Sequence, residues 1–222
     1  MGVIYAFVCL KFIILMKEKE DNMGSLFAGT NNTRILLGGN ITSIRYIRSD
    51  LPNNLTGNEI EWLKKHNFTK IIDLRSLDEI KIKPSIFANR NDFCYKHMPV
   101  TGNGAVPANK NLVVKSYLEM VDNNLFHIID EIENSHENIM YFCTAGKDRT
   151  GIVSALLLNR ANANEEAIVS DYMQSYENLK AVMEKIVKTN KNIDIEVITP
   201  KEEYICGFLK EMETRFEIVG EA

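Results

Sequence analysis

Cysteine is scarce and dispersed in this chain. Cys9, Cys94, Cys143 and Cys206 form no CxxC pair and have no histidine cluster beside them. That excludes a disulfide framework and a thiol-rich zinc site and favours a reducing compartment. Surplus positive charge is absent as well: 26 Lys and Arg stand against 30 Asp and Glu, for a net charge of −4. No general field exists for nucleic acid or a polybasic membrane contact, so an anionic substrate needs a local cationic site. The five prolines are scattered and there is no repeat or low-complexity stretch, so nothing marks a linker and one domain is expected. With 45% hydrophobic and 25% charged residues among 222, whole-chain disorder is excluded.

A long hydrophobic run is missing too. Val3 to Met16 is apolar apart from Lys11, short of the ~20 residues of a spanning helix and without the basic start and cleavage site of a signal peptide. A charge run, Lys17 to Asp21, follows it. Residues 1–23 read as an N-terminal extension, open between a docking element, a weak membrane contact and translation from a start codon ahead of Met16 or Met23. Residues 24–222 read as the domain proper. A cytoplasmic location is the expectation, with secretion left open and the oligomeric state unassigned.

What is present is an alternation of strand and helix signals. Ile35 to Leu37 and Ile44 to Ile47 read as short strands around the Gly38-Gly39-Asn40 turn, and Thr56 with Glu59 forms a capping box that opens a helix through Lys65. Lys70 to Leu74, Cys94 to Met98 and Asn138 to Phe142 read as further strands. Leu112 to Asn134 carries helical patterning, and Thr199-Pro200-Lys201-Glu202 opens a C-terminal helix. The pattern predicts an α/β fold with a central, mainly parallel sheet flanked by helices on both faces. Ligands of such sheets bind at the carboxyl ends of strands.

The segment after Phe142 carries the chemistry: Cys143-Thr144-Ala145-Gly146-Lys147-Asp148-Arg149-Thr150-Gly151, then an apolar helix face. A tight loop before a helix N-terminus aims backbone N–H groups inward, and the helix dipole adds about half a positive charge there. The same field stabilises a thiolate, which makes Cys143 a nucleophile. Thr144, Ala145, Gly146, Lys147, Asp148, Arg149 and Thr150 form the expected phosphate cradle. Arg149 holds two oxygens bidentately and Thr150 hydrogen-bonds the sulfur.

This loop resembles the signature of cysteine-dependent protein tyrosine phosphatases, and more closely an atypical bacterial tyrosine phosphatase family. Further pieces are similar in the same order: Asn32-Thr33-Arg34 with Gly38-Gly39, Tyr46-Ile47-Arg48-Ser49, Ile71-Ile72-Asp73-Leu74-Arg75-Ser76 with Glu79 and Pro84, and Asp171-Tyr172-Met173 with Ser175. The resemblance covers about Gly24 to Phe216. It departs at Phe142, where these enzymes usually carry a histidine, and in the start motif, from which no functional residue is carried over.

The resemblance implies a protein tyrosine phosphatase working through a phosphocysteine intermediate, without metal or organic cofactor. Its expected partner is a phosphotyrosine protein, with phosphoserine, phosphothreonine or phosphoinositides left open. Lys147 corresponds to a loop lysine seen in relatives that act on phosphoinositides. The general acid is expected at Asp148, with Asp73 second, because no Asp or Glu lies between Asp92 and Glu119. Arg75 is read as a phosphate-binding residue, or structurally as an anchor of the phosphate loop or a partner of Glu79. His97 reads as a structural or surface residue, Cys94 and Cys206 as core residues, and 178–195 as a solvated helix or a lid. Two rivals stand: a phosphate-binding module that has lost turnover, and a rhodanese-type sulfur transferase, against which the Gly-Lys-Asp-Arg-Thr-Gly run speaks.

Overall fold

Short apolar strands build the frame. The computed structural model describes residues 24–102, 106–191 and 193–220. The expectations for residues 1–23, Cys9 included, lie outside the described residues, as do 103–105 of the glycine-rich loop. The strands are β1 (Arg34–Ile35), β2 (Tyr46–Ser49), β3 (Lys70–Asp73), β4 (Cys94–His97) and β5 (Ile139–Phe142), in the spatial order β1-β2-β5-β3-β4. Only β1 pairs antiparallel, with Ile35 opposite Ile47. β5 lies parallel between β2 and β3, with Phe142 level with Ser49 and with Asp73.

Alternation along β5 sets the two layers. Ile139 and Tyr141 enter one core, which they share with Ile152, Val153 and Leu157. Met140 and Phe142 enter a second core with Leu63, Phe68 and Ile71. The second core is covered by helix α1 (Gly57–Lys65), whose Thr56–Glu59 capping box is formed as the spacing predicts. On the first face lie α3 (Val113–Leu118), α4 (Asn123–Glu133), α5 (Asp148–Arg160), α6 (Glu165–Thr189) and α8 (Glu202–Gly220). The expected mainly parallel sheet with helices on both faces is therefore present. Among the described residues no helix is long and apolar enough to cross a membrane.

Three expectations shift. The stretch 112–134 is two helices, because Asp122 caps α4 by accepting from Leu125 N–H and so ends the preceding turn. Thr199 closes the short helix α7 (Ile195–Ile198), and α8 opens only at Glu202. Cys94 is exposed on the sheet-edge strand β4, so it is no core residue, while Cys206 is half-buried.

The frame fixes one point above all. β5 ends at Phe142 in the middle of the sheet, and α5 begins six residues later, buried at every position from Arg149 to Leu158. Each aliphatic side chain so buried contributes roughly 1.5–3 kcal/mol. The N-terminus of α5 is thus held rigidly at the carboxyl edge of the sheet.

Candidate active site

Cys143, 3% exposed, is the first residue beyond β5. The loop that follows needs a left-handed residue, and Gly146 supplies it at φ +66. A Cβ at this position would lie 2.6 Å from the backbone nitrogen of Asp50, so only glycine fits. The loop carbonyls are turned outward and tied to the scaffold. Asn32 Nδ2 donates to Ala145 O at 3.1 Å and to Gly146 O at 3.0 Å, Arg48 Nη2 donates to Gly146 O at 2.8 Å, and Leu51 N–H donates to Thr144 O at 3.3 Å. In a trans peptide the N–H points opposite to its carbonyl, so the loop amides face the cradle.

A buried charge cluster stands behind these ties. Asp171 on α6 pairs with Arg34 Nε at 3.0 Å and with Arg48 Nη1. Burial raises the Asp171 carboxyl, but the two guanidinium groups outweigh it and the net direction is down. Asn32 Oδ1 accepts from Arg34 Nη1 at 2.6 Å, and Ser175 Oγ accepts from Arg34 Nη2 at 3.1 Å. The start motif, the Tyr46 to Ser49 motif and the Asp171 to Ser175 motif, scattered in sequence, therefore form one support under the loop.

Two carboxylates border the cavity, whose volume is about 310 Å³. Glu79 on α2 (Leu77–Ile82) closes a capping box with Ser76 and also reaches the cradle. Its carboxylate accepts from Arg149 Nη1 at 2.5 Å, from Arg149 Nη2 at 2.7 Å and from Thr144 Oγ1. Partial burial pushes the Glu79 carboxyl up, yet the hydrogen bonds from Arg149, Thr144 and the Ser76 backbone hold it well below the usual carboxylate range. Asp148 Oδ1 accepts from Tyr117 Oη at 2.6 Å and lies 3.0 Å from Lys147 Nζ. Val106, Pro107, Val113, Val197 and Ile198 supply apolar wall around them.

Two buried donors in the cradle, Arg149 Nε and Thr150 Oγ1, have no hydrogen-bond partner. An unpaired buried polar group costs about 1–3 kcal/mol, so such groups mark places where a polar ligand is received. A tetrahedral oxyanion seated over the loop has the acceptors that Arg149 Nε lacks.

Of the residues expected from the sequence, Cys143, Thr144, Ala145, Lys147, Asp148 and Arg149 line this cavity, and Gly146 turns the loop beneath it. Thr150 lies fully buried in the first turn of α5 and off the cavity lining, and its Oγ1 has no partner, so the expected hydrogen bond to the Cys143 sulfur is not made. Asp73 and Arg75 do not line it. Asp73 is fully buried, with both oxygens occupied: Oδ1 by Arg75 N–H and Nε, Oδ2 by Arg75 Nη2 at 2.6 Å and Tyr95 Oη at 2.9 Å. Arg75 is 1% exposed, donates to Lys83 O and lies over the Phe142 ring on the second face. It pairs with Asp73 rather than with Glu79. β3 directs this pair into the scaffold. His97 is structural as expected, its Nε2 2.8 Å from Arg75 O. No residue of 178–191 lines the cavity, so the lid reading of that stretch has no contact to rest on; Val197 and Ile198 of α7 form the wall instead.

Sequence reasoning missed Glu79 and Tyr117 as site residues. The Ser76–Glu79 spacing was a visible capping signal, but the second use of the same carboxylate is a tertiary contact. Tyr117 carried no signal beyond helical patterning.

Three comparisons bear on this geometry. The Siw14 catalytic core aligns over 77% of this chain and 98% of that one at 14% identity, with a TM-score of 0.37, too loose to carry an argument. A tyrosine-protein phosphatase of Nostoc commune is 28% identical over 111 residues, 46% of this chain and 38% of that relative's length. Residues 28–221 match the model of the tyrosine phosphatase family, which takes in the cradle, its support and the cavity wall. On that match over most of its length, the chain belongs to the tyrosine phosphatase family.

Proposed function

We propose that the protein hydrolyses phosphoric monoesters through a phosphocysteine intermediate formed on Cys143. The observation that carries this reading is the convergence on one cavity of a cysteine, inward-facing loop amides and an arginine whose buried Nε lacks a partner. Cys143 Sγ attacks phosphorus while the P–O bond to the leaving group breaks. Arg149, the loop amides and the α5 N-terminus stabilise the charge on the transferring oxygens. Asp148 gives its proton to the leaving oxygen, and the resulting carboxylate then takes a proton from the water that attacks the phosphocysteine, releasing phosphate and restoring the sulfur. Glu79 holds the Arg149 fork in place.

The cavity favours a phosphotyrosine side chain over a polyphosphorylated headgroup. Its two cations already have partners, Arg149 in Glu79 and Lys147 in Asp148. Lys147 is 7% exposed, which leaves it no reach toward a second phosphate. The apolar wall of Val106, Pro107, Val113, Val197 and Ile198 suits an aryl group. The Phe142 ring packs in the core on the opposite face of the sheet, so its presence in place of a histidine leaves the cavity's shape untouched.

A turnover panel tests the reading: phosphotyrosine peptide, phosphoserine peptide and several phosphoinositides, with wild type, Cys143→Ser and Lys147→Met. Phosphotyrosine peptide is expected to be turned over fastest, Cys143→Ser to be inactive, and Lys147→Met to lose activity equally on peptide and lipid. No turnover of any substrate by the wild type would leave only a binding module. A loss in Lys147→Met confined to lipids would assign Lys147 to a second phosphate.

A further inference from the structure

Asp148 is the residue on which proton transfer turns, and its surroundings restrict where the proton sits. Tyr117 on α3, 1% exposed, donates its hydroxyl to Asp148 Oδ1 at 2.6 Å. Tyr172 on α6, also 1% exposed, has its hydroxyl 2.7 Å from that of Tyr117. The two rings meet edge to face, centroids 6.4 Å apart. Tyr172 is itself wedged against α5: a Cβ on Gly151 would come within 3.3 Å of its Cδ2. Each hydroxyl has one proton. Tyr117 spends its own on Asp148, so Tyr172 must donate to Tyr117, and the Tyr117 rotor is fixed.

We propose that Tyr117, held by Tyr172, is a positioning residue for proton transfer: it confines the Asp148 proton to Oδ2 and stabilises the carboxylate left behind. This rests on the reading of Asp148 as general acid. Oδ1 already receives Tyr117 Oη and, at 3.0 Å, Lys147 Nζ, so in the acid form the proton has only Oδ2 to occupy. As the P–O bond breaks, its electron pair goes to the leaving oxygen and the Oδ2 proton follows. The charge that appears on Asp148 strengthens both hydrogen bonds to Oδ1, because donors bind an ionised acceptor about twice as strongly as a neutral one. Tyr117 thus contributes more in the transition state than in the ground state, which is the condition for accelerating the step. Burial, the Asp148 charge and Tyr172 push the Tyr117 hydroxyl well above the ordinary phenol range, so it remains a donor throughout.

The experiment compares phenyl phosphate, whose leaving oxygen needs a proton, with 4-nitrophenyl phosphate, whose leaving oxygen needs one much less. Tyr117→Phe, Tyr172→Phe and Asp148→Asn are assayed with the full chain, and orthovanadate inhibition reports on the cradle. Tyr117→Phe is expected to lower kcat/KM, which reports the steps through departure of the leaving group, by about tenfold on phenyl phosphate and by less than about twofold on 4-nitrophenyl phosphate, with vanadate affinity kept. Tyr172→Phe follows the same pattern at smaller amplitude, and Asp148→Asn at larger. Equal losses on both substrates in Tyr117→Phe, with the split retained in Asp148→Asn, would overturn the positioning role and leave the general acid standing. Equal losses in Asp148→Asn would overturn the general acid and the positioning role with it. Should Tyr117→Phe not fold, Tyr172→Phe decides: a folded variant with no difference between the substrates contradicts the proposal.

Discussion

Glu79 and Arg149 meet end-on across the cavity, Oε2 to Nη1 at 2.5 Å and Oε1 to Nη2 at 2.7 Å. The pair joins the α2 cap to the α5 N-terminus, and it leaves Arg149 Nε, which has no partner, for an incoming anion. A planar fork clamped on one edge is already oriented for the other, so the entropy of ordering the guanidinium is lost before substrate arrives.

Glu79→Gln is therefore expected to lower kcat/KM by about ten- to a hundredfold while leaving the fold in place, since a glutamine still satisfies the capping box. The pH dependence has a definite sign. The folded-state carboxyl sits below its unfolded value, so its contribution is present above the ordinary carboxylate range and is lost only as pH falls through the folded value. The ratio of wild-type to Glu79→Gln activity should stay flat as pH falls from about 7 through the ordinary glutamate value of about 4.3. A ratio that falls off around that value would show a carboxyl that titrates normally and does not hold Arg149.

Gly146→Ala places a Cβ 2.6 Å from Asp50 N at a backbone φ of +66. The neighbouring atoms are backbone and cannot swing aside. The strain should cost about 1–3 kcal/mol or force the loop open, with activity and orthovanadate affinity falling together. Thermal melting and vanadate titration read the two effects. Unchanged vanadate affinity would mean that the loop amides do not form the anion cradle.

Asp171→Asn removes the carboxylate shared by Arg34 and Arg48 and leaves two buried cations facing each other. Breaking such a pair typically costs about 3–5 kcal/mol. Denaturant unfolding should show that loss, and activity should fall as well, because Arg48 and Asn32 carry the Gly146 carbonyl. Full stability in the variant would contradict the support assigned to this cluster.

Much of this was legible in the chain itself. The run from Phe142 to Leu157 placed the strand, the loop and the helix, because apolar periodicity and one glycine report local geometry directly. The Thr56–Glu59 spacing announced a helix start for the same reason, whereas the like signal at Ser76–Glu79 was passed over. The break at Asp122 was readable as an N-cap but was overrun by the apolar pattern on either side of it. What could not be read was pairing across the fold. Asp73 stands level with Phe142 at the carboxyl edge of the sheet, yet its side chain turns to Arg75 and Tyr95 on the second face. Glu79 and Tyr117 reach the cavity from 70 and 31 residues away in sequence from their partners Arg149 and Asp148, respectively. Contacts of that range leave no periodic trace in one sequence.

The central claim is that phosphorus passes through the sulfur of Cys143. Rapid quenching in acid during turnover of an aryl phosphate, followed by mass spectrometry of the peptide that carries Cys143, tests it most directly. The account predicts a peptide heavier by one phosphoryl group, bound at Cys143, enriched in Asp148→Asn with 4-nitrophenyl phosphate, where formation needs little proton and hydrolysis of the intermediate is slowed, and absent in Cys143→Ser. Turnover that persists in Cys143→Ser, or a phosphoryl group found on any other residue, would contradict it.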